Sequence, residues 1–210
     1  MSSSAEHALS TSPLVEPPRR VPWLLRPMIW IAARITGKDP LPARLLAHFP
    51  KGAVGAGALE LAAASAPGDM EGRILATVRI VASAVAGCPF CIDMNAATWK
   101  RAGLSVFELR ALLDGREEDW PALGAREHAA ARYASALSRT PVELDEALTA
   151  ELTARFSPRE IVVLAATIAQ VNYWSRFNQG LGVPAAGFFD ESACPAPGSS
   201  REAPAKPTIA

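Results

Sequence analysis

The segment "SPREIVVLAATIAQVNYWSRFNQGLG" limits the possible folds more than any other part of the chain. Ser157 can cap the start of a helix, Pro158 suits its first position, and Glu160 completes a capping box. The pattern predicts a helix of about six turns. Residues 161–169 are apolar on every side, which indicates that this helix lies buried at the centre of a domain.

The rest of the sequence also favours helices. No run of alternating β-branched residues resembles a strand, so the sequence predicts an all-α domain. A second capping box, Ser105 with Glu108, opens a helix that Gly115 ends. The short links between helices predict antiparallel neighbours. The other predicted helices cover about 42–66, 70–86, 89–102, 122–138 and 143–155.

A chain of 210 residues suits one domain with tails. Residues 1–20 and 190–210 are rich in Ser, Pro, Ala and charged residues, and they carry too little apolar surface to offset the entropy of ordering. We therefore expect a disordered N-terminal segment over 1–20, a single all-helical domain over 21–189, and a disordered Pro-rich tail over 190–210.

The segment "VPWLLRPMIWIAARITG", which begins at Val21, is the most apolar part of the N-terminal region. It is too short to cross a bilayer, and Arg26, Pro27 and Arg34 interrupt it. We expect a helix docked on protein, in the core or at a subunit interface. A position of Trp23 and Trp30 on a membrane surface is the alternative that the pattern leaves open.

The charge balance excludes some partners. Twenty-one basic and twenty-one acidic residues cancel, so the chain as a whole lacks the basic footprint of proteins that bind nucleic acid or acidic lipid. We expect neither nucleic acid nor a membrane as a partner. The first 20 residues lack the basic start and apolar run of a secretion signal, which predicts a cytoplasmic protein with reduced thiols.

The stretch "AGCPFCIDMNAATWKRAG" carries the chemistry that the sequence suggests. Gly87 is expected to end one helix, and Cys88, Pro89 and Cys91 then fall at the N-cap, first position and first turn of the next. Free amides and the helix dipole favour negative charge there, so both thiols should ionise readily. The Cys-x-x-Cys spacing also allows a disulfide to form and break locally.

A purely structural role for the two cysteines stays open. Two nearby cysteines can be small core residues, and a sulfur closed off among hydrocarbon side chains would leave only the fold prediction. A structural zinc site lacks ligands, because Cys194 lies in the tail and His7, His48 and His128 are scattered. A thioredoxin fold needs a βαβ unit, which is not visible here. We therefore predict no metal and no cofactor.

The cysteine segment and the ending "NYWSRFNQGLG" resemble the carboxymuconolactone decarboxylase and alkyl hydroperoxidase D (AhpD) family over approximately residues 40–185. The resemblance implies an AhpD-like helical bundle that assembles into dimers, trimers or hexamers. It also implies a dithiol that reduces small peroxides or disulfides and is restored by an external thiol donor. In the alkyl hydroperoxidase branch of that family, the residue at the position of Cys91 attacks peroxide and the residue at the position of Cys88 resolves it.

Two positions depart from the family pattern. The family has a glutamate twelve residues before the first cysteine and a histidine four after the second, where this chain has Ala76 and Asn95. Neither can carry a proton, so peroxide reduction should be slow unless another group substitutes. Asn95 lies one turn beyond Cys91, and we predict that its amide donates to the thiolate. Asp93 is expected to face solvent.

Four further residues are candidates for a pocket near the cysteines. Arg79 would add positive charge if it points inward, and His128 could approach from another helix as a proton carrier. The cluster "NYWSRFNQG" places Trp174 and Asn178 near the end of the long helix, in a pocket or a subunit contact. The favoured alternative is that Trp174 belongs to the core and Asn178 faces water.

The preferred hypothesis is a thiol-dependent oxidoreductase that uses Cys88 and Cys91 as a redox pair. A non-catalytic oligomeric helical module with a degenerate proton relay is the first alternative. A decarboxylase-like enzyme acting on small acids is the second, and the two cysteines argue against it because the lactone decarboxylases do not depend on them. The role of Cys194 cannot be derived from the sequence.

Overall fold

The computed structural model describes residues 12–115, 117, 120 and 123–190. Every regular element within these residues is helical, which confirms the predicted all-α class. The helices are α1 (Arg26–Thr36), α2 (Leu41–Leu45), α3 (Pro50–Ser65), α4 (Gly72–Ala86), α5 (Pro89–Ala96), α6 (Val106–Asp114), α7 (Ala125–Ser138), α8 (Glu146–Arg155) and α9 (Pro158–Gly180).

The predicted helix caps are confirmed. The Ser157 hydroxyl accepts from the Glu160 amide at 3.3 Å, and the Glu160 carboxylate accepts from the Ser157 amide at 2.7 Å. Ser105 and Glu108 form the same reciprocal pair at the start of α6. Gly115 ends α6 with φ of 67°, a left-handed conformation that glycine adopts without a steric penalty.

Two predicted helices are shorter than expected. The helix predicted over 42–66 is interrupted at Phe49, whose backbone is not helical (φ −129°, ψ 76°), and α3 begins at Pro50. Proline lacks the amide that would continue the preceding helix, so it starts a new one. The helix predicted over 89–102 ends at Ala96, after which a series of turns reaches residue 103.

The central helices α4, α7 and α9 run parallel, although α7 and α8, which a short link joins, are antiparallel as predicted. Arg126, in the first turn of α7, bonds Glu71 at the N-cap of α4 (3.2 Å) and Glu160 in the first turn of α9 (2.7 Å). The three helices therefore start at one end of the bundle. At the other end, the Gln179 side chain of α9 donates to the Ala86 carbonyl of α4 at 3.0 Å. The turns and short helices between α4, α7 and α9 return the chain to the end of the bundle where each of these helices begins. The length of the links alone did not reveal this.

The core lies between α4, α7 and α9, where Val78, Ala130 and Leu164 are fully buried. The prediction that α9 is buried on all sides is wrong, because Val162 is 67% exposed. Its central position is nevertheless correct, since Leu164 and Ile168 pack in the core cluster.

The N-terminal region packs against α3 through one side of α1. Leu25, Met28 and Ile29 belong to an apolar cluster with residues of α3, while Trp23 and Trp30 are 75% and 66% exposed. The core alternative is therefore wrong for both tryptophans. No helix among the described residues is long and apolar enough to cross a bilayer.

The predicted disordered segments are only partly described. Within residues 12–20, the Leu14 amide donates to the Leu181 carbonyl at 2.8 Å, and the Glu16 carbonyl lies 2.9 Å from Nε2 of His48. Residues 1–11 and 191–210, with His7 and Cys194, lie outside the described residues.

Candidate active site

The Cys-x-x-Cys segment has the local geometry that the sequence predicted. Gly87 ends α4 with φ of 66°, Cys88 is the N-cap of α5, and Pro89 takes the first helical position. The Cys91 amide donates to the Cys88 sulfur at 3.2 Å. Both cysteines are free thiols, and together they form a dithiol at the start of α5.

Helix α9 supplies the polar neighbours of the Cys91 sulfur. The Asn178 amide nitrogen lies 3.5 Å from Cys91 Sγ and donates to it, and the Ser175 hydroxyl lies beside both sulfurs. All four side chains are closed off from solvent, with Asn178 1% exposed. The favoured expectation that Asn178 faces water is therefore wrong.

The two thiols have opposite ionisation behaviour. A hydrogen bond from the Cys88 thiol, aided by Ser175 and Asn178, lowers the pKa of Cys91 to about 7, although burial opposes this. The same hydrogen bond, together with burial and the nearby charge on Cys91, raises the pKa of Cys88. Near neutral pH, Cys91 is therefore the sulfur that ionises, and the Cys88 thiol is its hydrogen-bond donor.

The source of thiolate stabilisation differs from the prediction. We expected the free amides at the helix start to hold the charge, yet the Cys91 amide donates to Cys88 Sγ and not to its own sulfur. Asn95 was predicted to donate to the thiolate, but its side-chain amide donates to the Cys91 backbone carbonyl at 2.9 Å. The donor to the Cys91 sulfur is instead Asn178 of α9, which is distant from Cys91 in the sequence but adjacent in the fold.

Asp93 binds a C-terminal loop near the cysteines through hydrogen bonds. The expectation that it faces solvent is therefore wrong. It is 8% exposed, and its carboxylate accepts from the backbone amides of Ala186 (2.8 Å) and Phe189 (2.7 Å). In the same loop, Phe188 packs edge-on against Phe90 of α5, with ring centroids 5.8 Å apart. We call residues 183–190 the covering loop.

Apolar side chains surround the dithiol. The cysteines belong to a cluster with Leu45, Phe90 and Val183, and both sulfurs are buried, at 0% exposure for Cys88 and 1% for Cys91. The sequence argument required a sulfur that is not closed off among hydrocarbons. Cys91 is closed off from solvent, but Asn178 and Ser175 make its surroundings partly polar.

A cleft of about 370 Å³ adjoins this cluster. Leu45, Phe177 and Leu181 belong both to its wall and to the apolar cluster around the sulfurs. His48 and Glu16 form the polar part of the wall. The cleft is therefore mainly apolar and shares part of its wall with the cluster that contains the dithiol.

The remaining predicted pocket residues lie elsewhere. Arg79 donates to the Ala63 carbonyl of α3 at 3.1 Å, and burial lowers its pKa while Glu60 opposes this. His128 lies at the start of α7, at the end of the bundle where α4 begins, and packs edge-on against Trp120 at 6.0 Å. Neither position supports the predicted role near the sulfurs.

Trp174 has a mixed environment. Its indole N–H donates to Glu60, and its ring packs against the apolar clusters of α1 and of the cysteines. Among the described residues, no group of three His, Cys, Asp or Glu side chains could hold a metal ion.

Sequence reasoning missed Ser175. The available signal was the spacing of Val171, Ser175 and Asn178, which lie four and three residues apart on one face of a helix. All three are buried on the side of α9 that faces the interior. Two polar residues on such a face indicate a buried polar site.

The chain has a relative among known proteins, although no family profile matches it. The uncharacterized protein YnjA of Escherichia coli K12 is 31% identical over 175 residues, which cover 81% of this chain and 93% of YnjA.

Among solved structures, the alkylhydroperoxidase AhpD core of a peroxidase-related protein from Ralstonia eutropha JMP134 matches with a TM-score of 0.70 and 20% identity, covering 87% of this chain and 96% of that one. The debrominase Bmp8 matches with a TM-score of 0.72 and 22% identity, covering 83% and 93%. A cysteine-to-alanine variant of Bmp8 was solved in complex with 2,3,4-tribromopyrrole.

Proposed function

We infer that this chain, which belongs to the family of Escherichia coli YnjA and has the AhpD-like fold of the carboxymuconolactone decarboxylase superfamily, is a thiol-dependent oxidoreductase. Its working groups are Cys91 and Cys88. The observation that carries this proposal is the polar contact set of the Cys91 sulfur, which receives hydrogen bonds from Cys88 and Asn178 and has a pKa of about 7. A sulfur that served only to fill the core would need none of these donors.

The proposed reaction has three steps. Cys91 attacks the peroxide O–O bond, keeps one oxygen as a sulfenic acid, and releases the alcohol, which takes the proton that Cys91 had given up. Cys88 then attacks the Cys91 sulfur, a disulfide forms, and the hydroxyl leaves as water with the Cys88 proton. An external dithiol finally reduces the disulfide and is itself oxidised to a disulfide.

The pKa of Cys91 compensates in part for the missing relay residues. Ala76 and Asn95 cannot remove a proton, but a thiol with a pKa of about 7 is half ionised at neutral pH without a neighbouring base. Among the described side chains around the sulfurs there is no dedicated acid for the leaving alcohol, a role typically worth about 10²–10⁴ in rate. We therefore expect a slower peroxidase than a member with the complete relay.

The substrate class follows from the cleft. Its wall is mainly apolar, so an organic hydroperoxide with a hydrocarbon body should bind better than hydrogen peroxide. Because the sulfurs are buried, substrate reaches them only when side chains of the cleft or the covering loop move aside. A halogenated aromatic such as the tribromopyrrole bound by the Bmp8 variant fits the same apolar class, so it belongs in the substrate panel.

Two conditions complete the proposal. The external donor requires a reducing compartment, for which we propose the cytoplasm. We also propose a homo-oligomer assembled through α3, because Val54 and Leu61, two turns apart on one side of this helix, are 66% and 74% exposed. Light scattering of the wild type and of Leu61→Lys tests the assembly, and a wild-type monomer would contradict it.

The test of the function uses single cysteine variants. Cys91→Ser should lose hydroperoxide turnover, whereas Cys88→Ser should stop after one oxidation and hold a sulfenic acid that a dimedone adduct reveals by mass. Cys194→Ser removes the remaining cysteine and serves as the matched control with full turnover. Mild oxidant should lower the mass of the wild type by two hydrogens through a Cys88–Cys91 disulfide.

Each rival has its own result. A non-catalytic module predicts that the wild type consumes no hydroperoxide and forms no Cys88–Cys91 disulfide under mild oxidant. A small-acid enzyme predicts activity that survives replacement of both cysteines. Either result refutes the proposed function.

A further inference from the structure

We propose that the N-terminal face of this protein docks on the surface of an anionic phospholipid bilayer. The N-terminal face comprises the exposed apolar side chains Trp23, Leu24, Trp30, Ile31 and Ile35 together with the basic residues around them. The proposal is independent of the cysteine chemistry, since it depends on a different part of the molecule.

Helix α1 turns three large apolar side chains outward, together with Arg26 and Arg34. Trp30, Ile31 and Ile35 are 66%, 49% and 79% exposed, and they lie within about one and a half turns of the helix. Met28 and Ile29 pack in the apolar cluster that α1 forms with α3. Helix α1 is therefore already anchored to the protein, and its apolar outer face still lacks a partner in the described structure.

The charge around this face is strongly one-sided. Residues 17–47 contain six basic residues and one acidic residue, although the whole chain has no net charge. The basic residues are Arg19, Arg20, Arg26, Arg34, Lys38 and Arg44, and the acidic one is Asp39. The net charge of the whole chain is zero and does not reveal this local cluster of basic residues. For this reason the sequence predicted no membrane partner.

An open groove of about 630 Å³ along α1 brings basic side chains beside one of the exposed apolar side chains of this face. Arg26, Arg34 and Lys38 line it beside Trp30, while Arg44 is paired with Asp39 at 2.6 Å. Tryptophan at the interface and cations at headgroup depth are the combination by which amphipathic helices bind acidic lipid surfaces.

Charge also distinguishes a bilayer from a second copy of this chain. A twofold contact places the same patch on both sides, so two basic faces would meet and repel each other. An anionic bilayer offers the complementary charge and an apolar layer in which the tryptophans and isoleucines can be buried.

The test is sedimentation of the full-length protein with vesicles. We expect binding to phosphatidylcholine vesicles that contain about a third phosphatidylglycerol, weak binding to pure phosphatidylcholine, and loss of binding as salt is raised. Neutralising two cations in Arg34→Gln/Lys38→Gln should weaken binding roughly 25-fold. Trp30→Ser/Ile35→Ser should abolish it.

Phe107→Ser is the matched control, since Phe107 is 66% exposed on α6, away from the basic cluster, and its replacement should leave binding unchanged. A second measurement needs no polar variant: brominated lipid should quench tryptophan emission in the wild type and much less in Trp23→Phe/Trp30→Phe.

Three results would overturn the proposal. The first is a folded wild type that does not sediment with anionic vesicles. The second is equal loss of binding in Phe107→Ser. The third is a dimer in solution that Trp30→Ser/Ile35→Ser converts to monomers, because this would assign the face to a second copy. None of these results bears on hydroperoxide turnover, so they are separate from a failure of the proposed function.

Discussion

Replacing Asn178 with leucine should change the reactivity of Cys91 without weakening the fold. The Asn178 amide donates to the Cys91 sulfur at 3.5 Å, and a hydrogen bond to a charged group contributes about 1.5–3 kcal/mol. The contact is long, so we take a value just below this range, about 1.4 kcal/mol, which is a tenfold change in the ionisation constant. The pKa of Cys91, now about 7, should rise by about one.

The same substitution should leave stability unchanged or improve it. Asn178 is 1% exposed, and its side-chain oxygen has no hydrogen-bond partner among the described residues. An unpaired buried acceptor costs about 1–3 kcal/mol, and leucine of similar size removes that acceptor. We therefore expect the free energy of unfolding to stay level or to increase by about 1 kcal/mol.

The assay is the rate of alkylation of Cys91 between pH 5 and 9, followed by peptide mass in a Cys194→Ser background. Because the variant has the higher pKa, its thiolate fraction should be about tenfold lower than that of the parent below pH 6, and the two should converge above pH 9. Urea unfolding measures stability in parallel.

Gln179→Leu is the matched control. This neighbouring amide donates to the carbonyls of Ala86 and Ser175, both at 3.0 Å, and not to a sulfur, so the alkylation profile should not move. An Asn178→Leu protein that is stable and has the parental pH profile would refute the argument that this amide sets the charge on Cys91.

Three further predictions concern the scaffold. Asp93→Ala should leave two loop amides unpaired and lower the free energy of unfolding by about 2–4 kcal/mol. It should also speed alkylation of Cys91 at fixed pH. Unchanged alkylation would show that the covering loop does not limit access to the sulfur. Gly87→Ala should lower the free energy of unfolding in urea by about 1–2 kcal/mol, because φ of Gly87 is 66°. Gly55→Ala, inside α3 with open space around it, should leave that free energy unchanged or raise it. Equal effects of the two substitutions would contradict this. Ser157→Ala should lower the thermal midpoint through loss of about 1 kcal/mol of capping, and an unchanged midpoint would argue against a role of this cap in stability.

The parts of the fold that could be predicted from the sequence depend on neighbouring residues. The caps at Ser105 and Ser157 and the left-handed glycine at Gly87 involve groups within four residues of each other, so a short motif contains the whole interaction. The placement of Cys88 and Cys91 at the start of α5 follows for the same reason.

The parts that were missed depend on residues far apart in the chain. Asn178 reaches Cys91 across 87 positions, and Asp93 reaches Ala186 across 93. Nothing in the local pattern around Asn95 or Asp93 shows which partner a folded chain will bring to them. The parallel arrangement of α4, α7 and α9 was missed because the intervening short helices return the chain to the same end.

The burial of the dithiol has a consequence for its chemical lifetime. A sulfenic acid becomes irreversibly sulfinic when a second peroxide molecule arrives before the disulfide forms. In this protein the second oxidant would have to enter the same closed apolar cluster, while the Cys88 sulfur is already in hydrogen-bonding contact with its target. Under the proposed function, burial that slows the first oxidation would therefore protect the protein from inactivation at high peroxide concentration.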